Sequence, residues 1–222
     1  MAELESLEVK ADEDLNHHIN RHMLDRLVML SDGIFAISTT LAALEIKLPE
    51  HATSLRQVWD ESGYSLTAYV ITFLVIAMFW IGSRDIFARL HIVDRVMTGL
   101  TLGMLCGVAV IPACAHALFI RGDTNVVFAF YALVMAVCGT LNLAMWAYAS
   151  YAPGVMRHEV PQPYRAERVL VAATMPIFFL VLFFVPTKAA LGALLPLITV
   201  LVLIRRVAIP AWFRRNPQKT EA

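Results

Sequence analysis

Charge is scarce in this chain of 222 residues: Asp, Glu, Lys and Arg together make up 16%, and acids and bases cancel to a net charge of zero. Strong non-specific attraction to nucleic acid is therefore not expected. Cysteine is also sparse. Cys106, Cys114 and Cys138 all fall inside apolar runs, where they read as small packing residues rather than a disulfide framework. The chain contains no phosphate-binding glycine loop of the Walker type, no HExxH pair and no GxSxG elbow, so an enzyme is disfavoured. His17, His18 and His22 include an i, i+4 pair, but no carboxylate or thiol at ligand spacing completes a metal site. No cleavable leader is expected, because the first 26 residues are polar and the first apolar run is already of membrane-spanning length.

What the chain has in excess is apolar sequence: 59% hydrophobic residues and a mean hydropathy of +0.65. These values exceed those of ordinary soluble domains and indicate an integral membrane protein. A hydrocarbon core of about 30 Å needs roughly 20 helical residues at about 1.5 Å each. Six stretches of that order can be marked, at 27–48, 64–83, 96–120, 125–151, 167–186 and 189–209. The expected fold is all-α, with six transmembrane helices in one domain over 26–210, a charged tail at 1–25 and a short tail at 211–222. Residues 48–63 and 152–168 are the longest connections on the two sides.

Basic residues set the orientation. Lys10, Arg21, Arg26, Arg84, Arg89, Arg95, Arg157, Arg165, Arg168, Arg205, Arg206, Arg214, Arg215 and Lys219 fall on one side of the six stretches. Only Lys47, Arg56, Arg121 and Lys188 fall on the other. Fourteen against four places both termini in the cytoplasm, as an even number of spans also requires. Gly99, Gly103 and Gly107 form a ladder at four-residue spacing, suited to close helix packing. Pro176 and Pro196 lie inside the last two stretches and read as features of shape.

Ionisable groups inside the spans are few, so each one needs an explanation. Asp32 stands about 9 Å along the first span at about 1.5 Å per residue, and demands a partner. Arg84, returning at similar depth with Trp80 and Ser83, is the expected one. On a helical wheel at about 100° per residue, Leu30, Gly33, Ile37, Thr40, Leu41, Leu44 and Leu48 form one stripe, and Ser31 and Asp32 lie away from it.

The run RLVMLSDGIFAI, Arg26 to Ile37, resembles the R-x-x-x-F-S-D-G-x-x-A-I signature of the transmembrane protein 175 family, lysosomal potassium channels and their prokaryotic relatives. Trp80, Asp94, Ile111-Pro112, Tyr131 and Trp146 fit further family positions in order. Leu30 replaces the usual phenylalanine, and Ser83-Arg84 stand where many members carry paired histidines. The polar network around the signature, Arg26, Ser31, Asp32, Gly33, Trp80 and Arg84, must therefore be built differently here.

The resemblance implies a single six-helix repeat that assembles as a homotetramer in the plasma membrane. Four copies of the first helix would line a potassium-permeable pathway without a TVGYG filter. It also implies a constriction at Ile37, followed along the stripe by Leu41 and Leu44, with Thr40 favouring potassium over sodium. Ala36 lacks the serine of some members, which implies weaker selectivity. Permeant potassium, the lipid bilayer and further copies of the chain are the expected partners, with no cofactor and no nucleic acid. A proton-conducting or proton-coupled transporter using Asp32 and His116 is the alternative, and a non-transporting membrane scaffold is a third reading.

Overall fold

A computed structural model describes residues 2–46, 48, 49, 51, 53–121 and 125–184, with side chains described from His18 onward and not for 119–121. Five helices follow one another: α1 (Ala2–Leu44), α2 (Leu55–Phe87), α3 (Arg95–Arg121), α4 (Asn125–Tyr151) and α5 (Gln162–Phe183). Each contains a segment long and apolar enough to cross a membrane, beginning at His18 in α1. Among the described residues there is no strand, only an isolated antiparallel bridge between Leu90 and Met156. The sixth apolar stretch, 189–209, with Pro196, lies outside the described residues.

Two boundaries differ from those expected on hydropathy. α2 begins at Leu55, nine residues before the apolar run, so much of the connection expected at 48–63 is helical. Ser54 is the reason: its hydroxyl accepts from the Gln57 backbone N–H at 3.3 Å, while Gln57 Oε1 accepts from the Thr53 N–H at 3.1 Å. At about 1.5 Å per residue, the 33 residues of α2 run about 50 Å, longer than a bilayer core is thick. α5 likewise starts at Gln162 rather than 167, behind Pro161.

Helix packing in lipid relies on close contact and small residues rather than on water exclusion. α4 holds the centre, against α5 on one side and α3 on the other. A Cβ on Gly139 would stand 2.9 Å from the Pro176 backbone nitrogen, so this glycine lets α4 and α5 meet backbone to backbone. The glycine ladder of α3 is only partly used for packing. A Cβ on Gly107 would collide with Cys138 and one on Gly103 would touch Leu141, whereas Gly99 has nothing within 4 Å. The three cysteines are free.

The arginine-rich end of the bundle is tied by its two connections. Arg157 N–H donates to the Arg89 carbonyl at 3.0 Å and His91 N–H to that of Val155 at 2.8 Å. Arg165 then donates to the carbonyls of Val160, Ser150 and Arg157. Asp85 faces both Arg89 and Arg168, whose guanidinium groups each lie 4.9 Å from the Tyr164 ring. Asp94 opens α3, accepting from the Met97 N–H at 2.8 Å with one carboxylate oxygen and from the Tyr148 hydroxyl with the other.

Candidate functional site: the open face of the first helix

α1 packs against α2 and α3, and its buried face consists of Leu27, Ser31, Phe35, Ser38 and Ala42. Their spacing of three or four residues is the helical repeat, and the small serines and alanine let the neighbouring helices approach. The stripe expected from the wheel falls on the opposite, open side. Leu30, Ile37, Leu41, Leu44 and Leu48 are all exposed, Ile37 to 60% and Leu44 to 79%. Gly33 and Ala36 lie on the same open side, and a Cβ at Gly33 would meet nothing within 4 Å. Thr40 is exposed too, and its hydroxyl donates to the Ile37 carbonyl at 2.9 Å.

Asp32 is held differently from the expectation. Among the described residues it forms no ion pair with Arg84; instead its carboxylate accepts from the Trp80 indole N–H at 2.7 Å. Arg84 lies over the same indole, its guanidinium carbon 5.2 Å from the ring centroid. Trp80 thus stands between acid and base: its edge donates to the one and its π face receives the other. This arrangement follows from the sequence, since Trp80 and Arg84 are one helical turn apart on α2. Ser31 is 1% exposed, and its hydroxyl has no hydrogen-bond partner among the described residues. Arg26 is exposed near the start of the signature.

At the far end of α1, one residue beyond the last stripe position of the helix, the Glu45 carboxylate lies against the His116 imidazole of α3, a contact that is an ion pair only when the imidazole is protonated. Sequence reading noted His116 but not this partner. The available signal was two ionisable groups expected at the same membrane face. α1 is consequently fastened at two levels, to α2 by Asp32 and Trp80 and to α3 by Glu45 and His116, with the exposed aliphatic stripe between them. No group of three or more metal-ligating side chains occurs among the described residues.

A helical membrane protein whose first span is pinned on one side and presents bare aliphatic side chains on the other is the class these features define. The family model of the endosomal/lysosomal potassium channel TMEM175 matches residues 26–112, which contain both the signature and Trp80. A protein named potassium channel from Streptomyces collinus is 36% identical over 128 residues, covering 54% of this chain and 62% of the relative. Another of that name from Chamaesiphon minutus is 28% identical over 151 residues, covering 61% and 72%. The crystal structure of a lysosomal potassium-selective channel TMEM175 homologue from Chamaesiphon minutus superposes with a TM-score of 0.63 at 22% identity, over 84% of this chain and 100% of that one. Over residues 26–112 the chain is similar to the TMEM175 family, and its fold is that of the solved homologue.

Proposed function

We propose that the chain is a potassium-permeable cation channel in which four copies place α1 around a central pathway. The observation that carries this reading is the exposed aliphatic stripe of Leu30, Ile37, Leu41 and Leu44 on a helix whose other face is buried. Relatives named potassium channels support the same activity. Ile37 forms the constriction, with Leu41 and Leu44 continuing the apolar lining about one and two turns further on. A ring of aliphatic side chains excludes water when narrow, and conduction requires it to widen or hydrate. Thr40 adjoins the lining as the position that favours potassium over sodium.

In this reading Arg26, Ser31, Asp32, Gly33, Trp80 and Arg84 are not ion ligands. Ser31 is buried, and the Asp32 carboxylate is engaged by an indole, so the group sets the rotation of α1 rather than coordinating the permeant ion. Both termini lie in the cytoplasm, supported by fourteen basic residues against four, and the chain spans the cell membrane six times as one domain over 26–210, flanked by tails at 1–25 and 211–222. The second reading, proton conduction, is favoured by one observation, the Glu45–His116 contact beside the stripe.

Flux into liposomes containing the purified protein tests these readings, with potassium, sodium and proton gradients compared for wild type and Ile37→Asn. Passive, potassium-favouring flux that Ile37→Asn increases or makes less selective supports the channel. Proton flux alone supports the second reading, and absence of flux in both proteins refutes transport.

A further inference from the structure

A cleft of about 760 Å³ opens at the arginine-rich end, between the start of the α1 span, the end of α2 and the α4–α5 connection. Three guanidinium groups line it, from Arg21, Arg84 and Arg157. Three carboxylates line it as well, from Asp25, Asp32 and Glu159, together with His91 and His158. Equal numbers of acids and bases normally pair in so confined a space, yet among the described residues none of these arginines is in an ion pair. Arg84 stacks on the Trp80 face and Arg157 uses Nε on the Leu90 carbonyl, so neither guanidinium is engaged by a carboxylate among the described residues. Asp32 is already satisfied by the Trp80 indole. On the cleft wall, Ser31 holds a buried hydroxyl with no hydrogen-bond partner among the described residues, a donor in want of an acceptor.

Three arginines outside any ion pair among the described residues, lining one cleft with a buried serine, suit an oxyanion with several acceptor oxygens. We propose that this cleft binds a phosphate group, carried either by a phospholipid headgroup or by a small soluble phosphate. Arg21, Arg84 and Arg157 contact the phosphate oxygens and Ser31 donates from the wall. Asp25 and Glu159 hold the net charge of the cleft down, so a singly charged phosphodiester fits better than a densely charged polyphosphate. The site is separate from the aliphatic stripe, and its existence does not depend on the channel reading. It adjoins Trp80, however, so an occupant bears on the residue that pins α1.

Calorimetric titration of the purified full chain in detergent tests this with three probes: dihexanoyl phosphatidylglycerol, inorganic phosphate and the phosphate-free dihexanoylglycerol. Phosphatidylglycerol is expected to bind, and each of Arg21→Gln and Arg157→Gln to weaken it about tenfold, as loss of a charge-assisted hydrogen bond predicts. Arg95→Gln, outside the cleft, is expected to leave binding unchanged. Arg157 also ties the two connections together, so Arg21→Gln, on an exposed helix surface, is the variant that keeps the fold. Binding of phosphatidylglycerol without inorganic phosphate assigns a lipid headgroup, and comparable binding of both assigns a soluble phosphate. Either supports the site. Equal affinity for dihexanoylglycerol, no binding of either phosphate probe, or unchanged affinity in Arg21→Gln would overturn it.

Discussion

Leu41 and Ala42 are neighbours in the chain with opposite surroundings: Leu41 is 46% exposed and Ala42 only 5%. The same division runs the length of the α1 span, with Phe35 buried and Ile37 bare two residues later. A helix in lipid gains little from hiding leucine, since acyl chains are as apolar as leucine itself. Apart from Leu27, the residues buried on α1 are accordingly small or shape-filling, namely Ser31, Ser38, Ala42 and Phe35, while Leu30, Ile37, Leu41 and Leu44 are left outside. On the α1 span from Leu30 to Leu44, then, small and polar residues with Phe35 mark the packed face, and the stripe of Leu30, Ile37, Leu41 and Leu44 marks a surface left free of the chain's own described helices.

Substitutions on the two faces should therefore differ in kind. The largest effect is expected from Phe35→Ala, which empties a site 3% exposed and should cost about 3–5 kcal/mol, read as a large fall in the thermal unfolding midpoint in detergent. Gly139→Leu should follow at about 1–3 kcal/mol, because its side chain meets the Pro176 backbone and forces α4 from α5. Asp32→Leu should cost about 1.5–3 kcal/mol by leaving the Trp80 N–H without its charged acceptor, whereas Asp32→Asn, which keeps an acceptor, should cost less than half of that. Leu44→Ala, on the open face, should shift stability by no more than about 0.5 kcal/mol. A Leu44→Ala penalty as large as that of Phe35→Ala in the isolated chain would erase the distinction.

The open stripe was legible in the sequence because it depends on helical periodicity alone: Leu30, Ile37, Leu41 and Leu44 recur at the spacing of one helix face, and the fold leaves them there. The early start of α2 was legible too, but in a different signal. Ser54 and Gln57 have the spacing of a capping box, which a reading by hydropathy passes over because Arg56, Asp60 and Glu61 dilute the apolar average. The partner of Asp32 was harder to read. Charge complementarity selected Arg84, whereas the geometry gives the carboxylate to the Trp80 N–H, and only the relative rotation of two helices decides between donors one turn apart. The pairing of Glu45 with His116, and the tie between the α2–α3 and α4–α5 connections, join segments far apart in the chain and leave no local signature.

The central claim is that the open face of α1 lines an ion pathway, and the neighbouring pair tests it most directly. Leu41→Cys and Ala42→Cys, each in a Cys106→Ser background that removes the exposed native thiol, would be reconstituted in liposomes. Potassium flux would then be measured before and after treatment with a charged thiol reagent. The account predicts that modification suppresses flux several-fold through Leu41→Cys and leaves Ala42→Cys unchanged. Equal sensitivity at both positions, or block at Ala42→Cys alone, would contradict it.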